Sequence, residues 1–119
     1  MNKSILICLL LILSNQISSA QTCDLKVSNF CKTALGKLLM TITFTNTNAQ
    51  AVDRIDYEVT AYDDYGKKLG TETHYWQPTI SSIKNGESNT ESKICQYEGS
   101  KSIKVKVKKV HYVDGSYCD

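Results

Sequence analysis

Between Asp53 and Gly66 the chain reads DRIDYEVTAYDDYG. Ile55, Tyr57, Val59 and Ala61 fall on one side of this stretch, and Asp56, Glu58, Thr60 and Tyr62 on the other. Alternation with period two, carried by β-branched and aromatic residues, is the pattern of a half-buried strand. An amphipathic helix would need apolar residues every third or fourth position. The stretch therefore belongs to a sheet with one face in a core. Asp63 and Gly66 stand at the first and fourth positions of a type I turn, each where that turn prefers them.

The same period governs the rest of the chain. From Lys37 to Asn46, Leu38, Met40, Ile42 and Phe44 alternate with Leu39, Thr41, Thr43 and Thr45. Asp24 to Phe30 gives a short first strand, followed by a turn at Thr33 to Gly36. Leu69 to Trp76 reads as an edge strand of weak apolar contrast, in which Thr71, Thr73 and Tyr75 alternate with Glu72, His74 and Trp76. Gln77 to Gly86 reads as a long crossing that holds the only proline, Pro78, with Ile80 and Ile83 expected inside. Ser88 to Cys95 is a weaker strand, and Ser102 to Asp114 the last clear one. In that last strand Ile103, Val105 and Val107 share a face, but Val110 and Tyr112 are one position out of phase. A bulge near Lys108 and Lys109 restores the register; the alternative has Lys109 pointing inward at the rim with its ammonium in solvent. Strands at this spacing with turn signals between them predict an all-β fold, a single small immunoglobulin-like or fibronectin-III-like antiparallel sandwich of six to seven strands.

Residues 1–20 stand apart from this pattern. Lys3 is followed by an apolar run from Ile5 to Leu13, and then by Ser18, Ser19 and Ala20. A positive start, an apolar centre and small residues at the end make a secretory signal peptide cleaved after Ala20. The apolar run is shorter than the roughly 20 residues a membrane helix needs. Residues 21–119 then form one domain that is secreted or periplasmic, with no stable membrane span. Loss of Lys3 takes the formal charge from +2 to +1, which gives no electrostatic argument for nucleic acid. Cys23, Cys31, Cys95 and Cys118 remain. An even count in a small exported chain reads as two disulfides, whereas a four-thiolate zinc site usually uses close pairs such as C-x-x-C, and none is present.

Signals for catalysis are thin. His74 and His111 lack a serine or cysteine partner in motif context, and they fall on strands not expected to be neighbours. The acids of the YDDYG end read as turn chemistry, since their spacing is not that of a calcium loop. The expectation is therefore no enzyme, no metal and no cofactor. Aromatic residues are the more informative group. Tyr57 and Tyr112 are expected in the core, while Tyr62, Tyr75, Trp76 and Tyr97 form a possible interaction patch.

Val59-Thr60-Ala61-Tyr62-Asp63 resembles the F-x-L-Y-D motif of FxLYD domains and their fibronectin-III-like relatives in exported bacterial proteins. Tyr62 and Asp63 match; Val59 and Ala61 stand for the Phe and Leu. Flanking features are similar: Thr45-Asn46, Gly66, Gly70, the Lys84 to Ser88 turn, and the Tyr112-Val113-Asp114-Gly115 ending. The resemblance spans Lys37 to Gly115 and implies an accessory or binding module without catalytic residues. It also implies a topology with the first, second and fifth strands in one sheet and the sixth, third and fourth in the other. That topology implies bridges Cys23–Cys118 and Cys31–Cys95, and sets Asp56 and Glu58 opposite Lys104, Lys106 and Lys108. The function expected on these grounds is an exported accessory or binding domain that contacts an unknown protein or glycan. The alternative is a small inhibitor or immunity-type protein that blocks an enzyme through the 77–86 loop.

Overall fold

The chain folds into seven strands, described over residues 25–119 in a computed structural model: β1 (Leu25–Ala34), β2 (Lys37–Asn46), β3 (Val52–Tyr62), β4 (Lys68–Trp76), β5 (Ser88–Ile94), β6 (Ser102–Tyr112) and β7 (Tyr117–Cys118). The segment read as a signal peptide, and Cys23, lie outside the described residues. All pairings are antiparallel, in two sheets ordered β1-β2-β5 and β4-β3-β6-β7. Strands β1 to β6 divide between the sheets as the resemblance implies, and β7 extends the second sheet.

Alternation places the core between the sheets. Leu38, Met40, Ile42 and Phe44 of β2 are buried, as are Val52, Ile55, Tyr57, Val59 and Ala61 of β3. Each large apolar chain taken fully out of water contributes about 1.5–3 kcal/mol. The central contact joins the sheets: the Phe44 and Tyr57 rings meet edge to face at 5.0 Å. Thr43 and Thr45, on the other side of β2, hydrogen-bond across to Thr90 (3.0 Å) and Ser88 (2.7 Å) of β5.

The phase break in β6 is a bulge. Asp56 faces Lys109 and Tyr57 faces Val107, so Lys108 has no opposite residue. The extra residue returns Val110 to the core, where it is fully buried. Lys109 turns outward, its Nζ 4.1 Å from the centroid of the exposed Tyr117 ring, which decides against an inward lysine.

Four details differ from the sequence expectation. β1 runs on to Ala34 and turns through Leu35 (φ 53°) and Gly36 (φ 77°) into β2. Positive φ at both central residues is the tight hairpin geometry; leucine there gives no turn signal in a sequence. Ile83 is buried as expected, but Ile80 is 96% exposed. The crossing is anchored from Ile83 onward, where Ile83 and Val52 exchange backbone hydrogen bonds (2.8 and 2.9 Å), and Ile80 lies before that anchor. β7 adds a short edge strand through Val110–Cys118 and His111–Tyr117 pairs.

The fourth concerns the cysteines. Cys31 and Cys95 are free thiols, not the expected bridge. Cys31 pairs with Met40 on one edge of β2, while the Cys95 amide donates to the Leu38 carbonyl on the other edge. Two strand spacings, about 10 Å, separate their backbones, beyond the roughly 4.4–6.8 Å that a disulfide spans. Cys95 instead donates to Ser100 Oγ at 3.3 Å. Burial raises the Cys31 thiol pKa; a hydrogen bond from the Ile103 backbone opposes this, and the nearby Cys95 adds to it. Cys118 is buried in β7, and its expected partner Cys23 is outside the described residues.

Candidate interaction surface

The outward face of β4-β3-β6-β7 gathers the polar halves of four strands. Register sets them in rows: Tyr75, Asp56 and Lys109; Thr73, Glu58 and Lys106; Thr71, Thr60 and Lys104. At one end the side chains interlock around Asp56. Arg54 Nε donates to its Oδ1 at 2.9 Å, and His111 Nε2 lies 3.0 Å from its Oδ2. The Arg54 guanidinium carbon sits 4.5 Å from the Tyr75 ring centroid, and the His111 and Tyr117 rings are 6.2 Å apart. Tyr75 and Tyr117 keep 55% and 59% of their surface in water, each with a cation at its ring. A ring held by a cation is a preorganised contact, since it is fixed before a partner arrives.

Burial alone would raise the Asp56 pKa, but the hydrogen bonds and charges of Arg54 and His111 outweigh it and hold the carboxyl below the usual range. A depressed native pKa stabilises the fold above the unfolded carboxylate pKa and loses that contribution as pH falls through the native value. A carbon-detected NMR titration is expected to find Asp56 more acidic than the free residue, and Arg54→Gln to move it upward. An unchanged midpoint in Arg54→Gln would remove Arg54 as a cause.

The expected aromatic patch divides. Tyr75 and the half-buried Tyr62 lie on this face, with Lys104 Nζ 5.4 Å from the Tyr62 ring centroid. Trp76 does not: it turns inward, is 4% exposed, and its Nε1 donates to Asn89 Oδ1 at 3.0 Å. β4 alternates as expected, but with Glu72 and His74 beside Trp76 the sequence shows too little apolar contrast to tell its inner face from its outer one. Tyr97 is an architectural residue. Its ring covers Gly70, where a Cβ would lie 2.2 Å from Tyr97 Cζ, and its hydroxyl donates to the Thr71 carbonyl at 3.0 Å. Arg54 and Tyr117 are not singled out in the sequence, where Lys109 enters only through the bulge and His111 only as a candidate catalytic or metal residue; continuing the alternation back from Ile55 finds Arg54.

The expected pairing of acids with the lysine run holds at one place. Lys108 Nζ lies 3.8 Å from Glu58 Oε1. Asp56 is taken by Arg54 and His111. Lys106 stands opposite Glu58 in register without an ion pair among the described residues.

A second polar arrangement fills the seam between β4 and β5. The inner face of β5 is Asn89, Glu91 and Lys93, against Glu72, His74 and Trp76 of β4. The Tyr57 hydroxyl donates to Glu91 Oε2 at 2.5 Å. Lys93 Nζ donates to His74 Nδ1 at 3.5 Å, leaving His74 Nε2 to face Glu72 Oε1 at 3.1 Å. Burial, and then the hydrogen bond and charge of Glu91, push the Tyr57 phenol pKa far up, so it stays protonated. An open cleft of about 500 Å³ lies over this seam, lined in part by His74, Tyr75, Pro78, Glu91 and Lys93. Its polar groups partner one another, and among the described residues no buried side-chain nitrogen or oxygen is left unpaired. His74 and His111 lie on opposite sides of their sheet, and no three potential metal ligands converge among the described residues.

No family model and no curated protein matches the chain. Among solved structures it is similar to a DUF1425 family member from Shewanella sp. pv-4, at 16% identity over 71% of this chain and 77% of that one, with a TM-score of 0.54. The likeness is one of fold. It extends to a β-sandwich and carries no residue roles. The structural-genomics target SoR45 is also similar, at 12% identity over 79% of this chain and 75% of that one, with a TM-score of 0.37. Among the described residues no helix is long and apolar enough to cross a membrane.

Proposed function

We propose that this chain is an exported binding domain, secreted or periplasmic after cleavage behind Ala20, that engages a protein or glycan through the outward face of β4-β3-β6-β7 and performs no catalysis. The observation that carries this reading is the pair of exposed tyrosines, Tyr75 and Tyr117, each fixed by a cation and joined through the Asp56 network. Exposed aromatic residues beside arginine are the usual anchors of binding surfaces. The Val59 to Asp63 resemblance to FxLYD-like accessory modules supports the same reading. A Cys23–Cys118 bridge would tie the segment before β1 to β7 and hold Tyr117 in place. The test is capture from envelope extract or culture filtrate on immobilised mature domain. A Tyr75→Ala/Tyr117→Ala variant is expected to lose the captured material; equal capture by the variant would sink the reading.

A second reading rests on Ile80. It is 96% exposed at the crossing, which is anchored beyond it by the Val52–Ile83 bridge and before it by Trp76. An apolar tip on a fixed loop suits insertion into an enzyme cleft, as an inhibitor would require. Ile80→Asp is expected to abolish such inhibition of a co-exported hydrolase, and an Ile80→Asp protein that still inhibits would dismiss it.

A further inference from the structure

We infer that the partner of the β4-β3-β6-β7 face is an acidic polysaccharide, an assignment that rests on the proposed use of this face for binding. Charge on the molecule is unevenly placed. The face carries Arg54, Lys104, Lys106, Lys108 and Lys109 against two carboxylates, Asp56 and Glu58. Lys104, Lys106 and Lys108 alternate along β6, so neighbouring ammonium groups project from backbone positions about 6.8 Å apart. The bulge adds a further cation. By leaving Lys108 without an opposite residue, it sends both Lys108 and Lys109 outward, where strict alternation would have buried one. The result is a row of cations along β6, suited to a linear polyanion.

The remaining groups distinguish the type of polyanion. Asp56 and Glu58 stand in the middle of the face, beside Thr60, Thr71 and Thr73. A deoxyribose phosphodiester backbone has no hydroxyl donor to offer these carboxylates. A sugar acid offers hydroxyl donors next to its own carboxylate, so Asp56 and Glu58 become acceptors for the hydroxyls while the lysines take the acid groups. Tyr62, Tyr75 and Tyr117 border the row, and the apolar face of a pyranose ring can lie against them.

The test uses intact mature domain and polygalacturonate as probe, with dextran as neutral control and oligo-dT as nucleic-acid comparator. Polygalacturonate is expected to bind and to weaken at least about tenfold between low and physiological salt. Lys104→Gln/Lys106→Gln/Lys108→Gln is expected to lose about tenfold or more. Lys26→Gln/Lys32→Gln, on the exposed side of β1 in the other sheet, controls for general charge, with thermal melts confirming that both variants fold. Absence of polygalacturonate binding at low salt overturns the inference. So does equal loss in the β1 variant, or binding of dextran or oligo-dT as tight as that of polygalacturonate. If polygalacturonate fails while Tyr75→Ala/Tyr117→Ala still abolishes capture, the polysaccharide assignment falls and the binding face stands.

Discussion

Phe44→Ala is expected to lower the unfolding free energy by about 3–5 kcal/mol. Phe44 has no exposed surface and supplies the contact on which the two sheets meet, edge to face with Tyr57 at 5.0 Å. The cost of such a truncation depends on whether neighbours can collapse into the space. Tyr57 cannot follow, because its hydroxyl is held at 2.5 Å by Glu91 of the opposite sheet. The ring is fixed at both ends, and the cavity stays open. Urea unfolding followed by Trp76 fluorescence measures the effect, with an unchanged slope indicating that the denatured state is the same. A loss below about 1.5 kcal/mol would mean that the sheets close over the gap.

Asn46→Ala is the second large effect, about 2–4 kcal/mol, although it removes no apolar surface. Asn46 ends β2 and is fully buried. Its Nδ2 donates to the carbonyls of Gln50 and Ile83, both at 2.8 Å. Its Oδ1 accepts from the Asn48 backbone at 2.8 Å and from Asn48 Nδ2 at 3.1 Å. One amide thus pins the loop into β3 and the crossing into β5. Alanine removes all four of these bonds at a buried position, where the Ile83 carbonyl keeps only the Val52 amide, and each partner lost at such a site costs roughly 1–3 kcal/mol. Faster proteolysis within residues 77–86, alongside lower stability, is the expected signature. Retained protease resistance there would show that Asn46 does not hold the crossing.

These two residues show what the sequence makes legible. Phe44 and Tyr57 sit in strong alternation, so their burial could be read from the pattern alone. The bulge at Lys108 was also legible, because Val110 belongs in a core and stands one step out of phase. Asn46 closes a strand, and nothing in an asparagine tells a buried clamp from a turn. Trp76 was misplaced because its strand shows little apolar contrast. The groups that make Glu72 and His74 tolerable inside, Gln96 and Lys93, lie far along the chain. Ile80 was misplaced for the opposite reason: an apolar residue in a crossing has no strand periodicity to orient it. Of the candidate surface, Tyr62 and Tyr75 were visible, as were the lysines. Arg54, His111 and Tyr117 join them only through the register of β3, β6 and β7, a long-range property that local pattern does not carry.

The polar seam has one more effect. β4 and β5 each present an unpaired edge, and such edges invite pairing with another molecule of the same chain. Here the inward positions next to those edges are Glu72, His74, Glu91 and Lys93. A strand added along either edge would extend the sandwich over these groups and shut them off from water. Their desolvation opposes the addition. The same residues that leave this side of the core thin therefore oppose strand addition along the β4 and β5 edges.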